Sequence, residues 1–312
     1  MGELNDGGKD MRLVTYLDAG QPQTGLLMAD QVLPLAAAAQ QCGVTLDASS
    51  ILAIVRAGVA AEQALQRIWH SREACVALCR SLASVQLLAP IPNPSRNVFC
   101  VGRNYVDHVK EGGVAMQMEV KLPTVPQFFT KATHAVNAPY GDIRIDSRVS
   151  RRYDYEVELA VVMGKTGRDI PREQAFEYVY GYAVGNDVTA RDLQRRHDQW
   201  FKGKSLDTCF PFGPCLVTKD EVAEVSALQL SLWVNGELRQ QAAAAQMIFD
   251  IPAIIESLSA GMTLEAGDII ATGTPAGVGF AMDPPQYLAD GDEVVCSISN
   301  LGELRNRVMA VV

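Results

Sequence analysis

The sequence predicts an α+β protein: a small N-terminal α/β domain over residues 11–90, then a β-dominated, mixed-sheet domain over residues 91–312. Three observations lead there. The chain of 312 residues exceeds one ordinary domain. Ala-rich segments with apolar residues three and four apart are confined to its first third. Beyond the proline-rich stretch LLAPIPNPSRN, strand-like runs separated by Gly, Pro and Asp dominate.

The opening ten residues, MGELNDGGKD, are polar and glycine-rich and read as a disordered lead-in, with folding starting near Met11. MRLVTYL and LLMAD flank the turn DAGQPQTG and read as short strands. LAAAAQQ and AAEQALQRIWHSREACVALCRSL read as helices. The prolines near residues 88–96 form a stiff connector and a domain boundary. Strands are then expected at VFCVG, PQFFTKA, YEVELAVVMG, YVYGYAVGND, QLSLWVNG, DIIATGT and EVVCSIS, with brief helices near 105–111, 171–178 and 250–259.

Composition narrows the function. Apolar residues at 48% and charged residues at 20% describe a folded, water-soluble chain. A net charge of −9 argues against a nucleic-acid partner, which requires clustered Lys and Arg. No apolar run reaches the ~20 residues that span a bilayer, and no export signal is apparent, so neither a membrane partner nor secretion is expected. The seven cysteines are odd in number and set mostly in apolar sequence, which suits reduced thiols and a cytoplasmic location. Cys75 and Cys79 lack the second pair that would complete a zinc site.

The most informative stretch is DYEVELAVVMG, residues 154–164. Residues two apart on a strand share a face, so Glu156 and Glu158 lie side by side. Their surroundings look apolar on both faces, where two carboxylates repel each other and lose solvation unless a proton or a cation intervenes. Asp187, at the end of the following strand GYAVGND, offers a third carboxylate. Three oxygen ligands without Cys or His favour a hard ion, Mg²⁺ or Mn²⁺, and leave coordination positions for water and substrate. By itself the E-x-E pair also describes a solvated edge strand.

Other candidates surround it. His108 and Glu111, three apart on a short helix, can form a carboxylate-oriented imidazole that moves a proton, or be incidental surface neighbours. Lys204, between Gly and Ser and near aromatic residues, can stabilise a developing enolate oxygen, or be exposed. Arg191 and Gln194 can bind substrate or brace the site. The glycine-rich TGTPAGVG lacks the ending of a phosphate loop and reads as a tight loop bringing backbone N–H groups and the Thr274 hydroxyl towards a ligand. No serine elbow, HExxH or CxxC motif is present.

In combination these segments resemble the fumarylacetoacetate hydrolase family, in its small-acid branch with the FAHD-type domain. VGRNYVDHVKE, PQFFTKA, DYEVELAVVMG, GNDVTARDLQ, QWFKGKSLDTCFPFGP, LWVNGEL and GDIIATGTPAGVGF carry the resemblance, in order, over about residues 96–310. The ending PPQYLADGDEVVCSISNLGEL is similar to that of domain-2-type members. The resemblance implies a β-roll fold, a homodimer, and Mg²⁺ or Mn²⁺ held by Glu156, Glu158 and Asp187. It also implies catalytic roles for His108, Glu111 and Lys204, and substrate contacts from Arg103, Gln194 and Thr274. Val101 stands where the founding hydrolase has a fourth metal carboxylate, so fumarylacetoacetate is not the expected substrate.

The expected partner is a small 2-oxo acid reacting through its enol or enolate. C–C hydrolysis of an acylpyruvate-like acid is narrowly preferred, with keto–enol tautomerisation or decarboxylation of an oxaloacetate-like acid as the alternative. A non-catalytic 2-oxo-acid-binding protein is the remote rival, and it would show a broken ligand set or dyad. Loops near 112–127 and 195–203 are where specificity, and a closing segment, are expected.

Overall fold

The apolar runs pair into one large mixed sheet in the computed structural model, which describes residues 11–311. The lead-in expected over residues 1–10 lies outside the described residues. Across the sheet run, in order, Arg80–Ser81, Gln31–Pro34, Gln21–Met28, Arg12–Asp18, Phe210–Thr218, Val179–Asn186, Val157–Met163, Ile269–Ala271, Val98–Gly102 and Gln127–Lys131. Along this path neighbours are antiparallel, except that Ile269–Ala271 lies parallel to Val98–Gly102. A second, five-stranded sheet runs Glu237–Ala243, Gln229–Val234, Glu293–Ile298, Gly302–Ala310, Ile143–Ile145.

Strand alternation decides what packs where. On Val157–Met163 the side chains of Val157, Leu159, Val161 and Met163 enter a core shared with Leu230, Leu232, Val294 and Leu304 of the five-stranded sheet. Ala160 and Val162, on the other face, enter a core shared with Leu33, Ile51, Ile54 and Leu65 of the N-terminal segment. The strand is buried along its whole length because both faces are covered. Each Val, Leu or Ile so placed contributes about 1.5–3 kcal/mol of hydrophobic stabilisation.

The sheet crosses the connector near residue 90 without a break. Arg12–Asp18 pairs with Phe210–Thr218 on one side and with Gln21–Met28 on the other. The N-terminal strands thus cover what would otherwise be an open edge of the larger sheet. Helices Ile51–Ala57 and Val59–His70 then pack over them, the first capped by the Ser50 hydroxyl accepting from Ala53 N–H. Of the helices expected further on, the first extends over Val106–Ala115 and the second is a 3₁₀ run, Arg172–Tyr178. The third, Ile251–Ser259, has Asp250 as its cap.

Candidate active site

Register brings the three carboxylates together. In the pair Val157–Met163 and Val179–Asn186, Val157 lies opposite Asn186 and Glu158 opposite Gly185. One residue beyond each strand, Asp187 N–H donates to the Glu156 carbonyl at 2.8 Å. Glu156, Glu158 and Asp187 consequently meet at one end of the central pair, all buried, each offering an oxygen within 4.8 Å of the others. The set excludes the solvated-edge reading, since Glu158 is only 1% exposed and Asp187 0%.

Cations thread this cluster. Lys204 Nζ lies 2.7 Å from both Glu156 Oε2 and Asp187 Oδ2. Lys131 Nζ lies 2.6 Å from Asp187 Oδ1 and donates to the Val188 carbonyl at 3.1 Å. Arg191 reaches Glu156 Oε1 at 2.6 Å and Asp154 Oδ2 at 2.8 Å. Burial alone would raise the Glu156 carboxyl, but Lys204 and Arg191 outweigh it and hold it at about 2. Glu158 goes the other way. Burial, then the charges on Asp187 and Glu156, push its carboxyl well above the ordinary range, against one backbone hydrogen bond from Gly273 N–H.

That unfavourable ionisation of Glu158 is what a divalent cation relieves. The donor set is oxygen only and suits a hard ion, so the residues fit the metal expected from the sequence.

A short helix supplies the dyad. On Val106–Ala115, His108 Nδ1 lies 2.8 Å from Glu111 Oε1. The second oxygen of Glu111 accepts from Gly277 N–H at 2.8 Å. Gly277 has φ +107, and a Cβ there would run into the Arg239 carbonyl, so only glycine presents its N–H in this way. The same loop sends Gly279 and Phe280 N–H to Asp154. Its N–H groups were expected to face a ligand. They hold the site's carboxylates instead, because buried carboxylate oxygens need donors before any ligand does.

Glu156 and Glu158 of the cluster and His108 of the dyad open on one cavity of about 610 Å³, lined also by Arg191, Lys204 and Thr274 among others. Both loops in which specificity was expected reach it, through Met116 and Met118 on one side and Arg195 and Trp200 on the other. A separate cavity of about 710 Å³ lies beside Tyr182, Lys219 and Ile251 and shares no lining residue with it.

Residues 97–309 match the family described as fumarylacetoacetate (FAA) hydrolase C-terminal. The chain belongs to the fumarylacetoacetate hydrolase family. Among its relatives, oxaloacetate tautomerase YisK of Bacillus subtilis is 51% identical over 229 residues, 73% of this chain and 74% of that one. Human mitochondrial oxaloacetate tautomerase FAHD2A is 43% identical over 229 residues, 73% and 70% of the two chains. Among solved structures, maleylpyruvate hydrolase of Sphingobium sp. SYK-6, in complex with manganese(II) and pyruvate, superposes with a TM-score of 0.76. It is 28% identical and covers 97% of this chain and 100% of its own. The domain-2-type resemblance thus stands, and this family member is an enzyme of the group that contains tautomerases, isomerases and hydrolases.

The remaining predicted residues fall around the same cavity. Arg103 lines it with φ +58, a left-handed conformation unusual outside glycine, and donates to the Lys121 carbonyl at 2.7 Å. The Thr274 hydroxyl accepts from Gln240 Nε2 at 2.8 Å. Gln194 accepts from Arg191 Nη1 at 3.2 Å, so Arg191 is a brace whose charge is already engaged. Two residues escaped the sequence reading. Lys131 is the penultimate residue of PQFFTKA, where nothing marks it as fully buried, and Asp154 sits two residues before Glu156 in a motif read for its glutamates.

Proposed function

We propose that this protein catalyses keto–enol tautomerisation of a small 2-oxo dicarboxylic acid of the oxaloacetate type, with Mg²⁺ or Mn²⁺ held by Glu156, Glu158 and Asp187. One observation carries the reading: an acidic cluster and a His–Glu dyad share a cavity, in a chain 51% identical to an oxaloacetate tautomerase. The narrow preference for C–C hydrolysis drawn from the sequence gives way here, since YisK and FAHD2A, at 51% and 43% identity, are named oxaloacetate tautomerases. A bound divalent cation supplies Lewis acidity that makes the 2-oxo group easier to enolise.

The chain's own residues supply the proton traffic. Glu111, already an acceptor from Gly277, takes the Nδ1–H of His108 and leaves Nε2 as the base. The C3 proton passes to Nε2, the C2–C3 double bond forms, and the 2-oxo oxygen takes up negative charge near the Lys204 ammonium. That ammonium stays protonated: burial opposes it, but Asp187 and Glu156 overcome the penalty and raise its pKa. Return of that proton from His108 Nε2 to the oxygen, directly or through solvent, completes the enol and regenerates the base, and the reverse order restores the keto acid. Met116, Met118, Phe129, Trp200 and Phe280 give the cavity wall an apolar side.

The test follows ultraviolet loss of the oxaloacetate enol with Mn²⁺ and with excess EDTA, with pyruvate assayed alongside. Metal-dependent loss without pyruvate supports the tautomerase. Pyruvate formed from oxaloacetate would indicate decarboxylation. Pyruvate released from an acylpyruvate, with no acceleration of oxaloacetate, would restore hydrolysis.

A further inference from the structure

A 2-oxo diacid carries a second carboxylate beyond the enolising carbon, and something in the cavity must recognise it if the diacid is the substrate. The buried cations are already engaged. Arg191 is held by Asp154 and Glu156, Lys204 by Glu156 and Asp187, and Lys131 by Asp187. Of the cations on the cavity wall, Lys121 pairs with Glu119 at 3.0 Å, and Arg103 has no carboxylate partner among the described residues but donates from Nη2 to the Lys121 carbonyl at 2.7 Å. Arg195 lines the cavity with its donors free of carboxylate and carbonyl alike: among the described residues its guanidinium has the Phe280 ring as its one partner, although Glu119 and Asp198 line the same cavity.

Its placement is fixed by the helix Arg191–Arg196. Four residues after Arg191, it falls on the same helix face. Phe280 receives both guanidinium groups, Arg191 Cζ at 4.5 Å and Arg195 Cζ at 5.6 Å from the ring centroid. That ring also neighbours the dyad helix, where a Cβ added to Gly112 would touch Phe280 Cζ at 3.7 Å. Arg195, Phe280 and His108 thus line one cavity. A substrate whose C3 faces His108 extends its next carbon, and the carboxylate on it, into the cavity that Arg195 lines.

We propose that Arg195 is the specificity-determining residue that binds the distal carboxylate of a 2-oxo diacid, an inference that rests on the tautomerase reading for its substrate class. The guanidinium is stacked on an aromatic face, which orients its donors without neutralising them. A charge-assisted hydrogen bond at a partly exposed wall predicts a preference for diacid over monoacid of about ten-fold.

Binding, rather than turnover, tests this. Affinities of the Mn²⁺-loaded protein are measured by calorimetry for 3,3-dimethyl-2-oxobutanedioate and 3,3-dimethyl-2-oxobutanoate. Neither acid can enolise, and they differ by a carboxylate in place of a methyl group. The expected result is about ten-fold tighter binding of the diacid, a preference lost in R195Q and partly kept in R195K. R196Q, which changes the next arginine, retains it. Binding of neither acid, equal binding of both by the wild type, or an intact preference in R195Q overturns the proposal. The oxaloacetate enol assay is run separately, so a protein that prefers the diacid yet fails to tautomerise refutes the activity and leaves Arg195 standing.

Discussion

Replacing Lys131 by Met gives the most direct measure of how the cluster is held. Lys131 is fully buried, with Nζ 2.6 Å from Asp187 Oδ1 and 3.1 Å from the Val188 carbonyl. Methionine fills a similar volume but donates nothing, so Asp187 Oδ1 is left buried without its partner. Removing one member of a buried ion pair costs about 3–5 kcal/mol. At roughly 2.1 cal/mol/K per residue, 312 residues have an unfolding entropy of about 0.65 kcal/mol/K, which converts the loss into a Tm drop of about 5–8 °C. Scanning calorimetry of the metal-free protein reads Tm. Urea unfolding, with an unchanged dependence on denaturant, checks that the native state and not the unfolded one has changed. A drop of less than about 2 °C would refute the view that Asp187 depends on this lysine.

Three further outcomes follow from the same geometry. Glu158→Gln should leave metal-free Tm within about 2 °C of wild type, because burial and the charges on Asp187 and Glu156 already oppose ionisation of that carboxyl, yet abolish the response to Mn²⁺; an intact Mn²⁺ shift in calorimetry would remove Glu158 from the ligand set. In the wild type, Mn²⁺ at about one hundred times its Kd should stabilise by about 2.7 kcal/mol, or roughly 4 °C, and EDTA should reverse it; no shift would argue against the site. His108→Ala and Glu111→Gln should each lower kcat for enol loss by at least about 100-fold while Mn²⁺ affinity stays put, and a matching loss of metal binding would mean that the dyad supports the cluster instead of moving protons.

Much of this site was legible in the sequence because it depends on short-range geometry. Glu156 and Glu158 share a face by the two-residue period, and His108 meets Glu111 by the three-residue spacing of a helix. Asp187 was legible because it follows directly on the next strand. Lys131 was not, since only the pairing of Gln127–Lys131 with Val98–Gly102 carries it to a partner 56 residues away. Arg191 was left between substrate binding and bracing, and only the burial of Asp154 decides for the brace. The glycine loop was misread for a related reason: which groups its N–H donors serve depends on carboxylates more than 100 residues distant. Hydrolysis and tautomerisation were inseparable because both use the same ligand set, dyad and lysine. They differ in whether water attacks a carbonyl beyond the enolising carbon, and residues from both loops line the cavity where that would happen.

The charges at the cavity floor link the metal, the substrate class and Arg195. Asp154, Glu156 and Asp187 are matched by Lys131, Arg191 and Lys204, so three carboxylates meet three cations. Ionisation of Glu158 is opposed by burial and by the charges on Asp187 and Glu156. A balanced and hydrogen-bonded cluster is one that a protein interior tolerates, which explains how four acidic side chains can be buried together. With a divalent cation in place and Glu158 ionised, the floor carries one positive charge in excess. A monocarboxylate is enough to cancel that excess, so the floor alone gives no reason to prefer a diacid. Discrimination has to come from a second, uncompensated cation at the distance of a second carboxylate. Arg195, on the cavity wall over Phe280, is the cation proposed for that role.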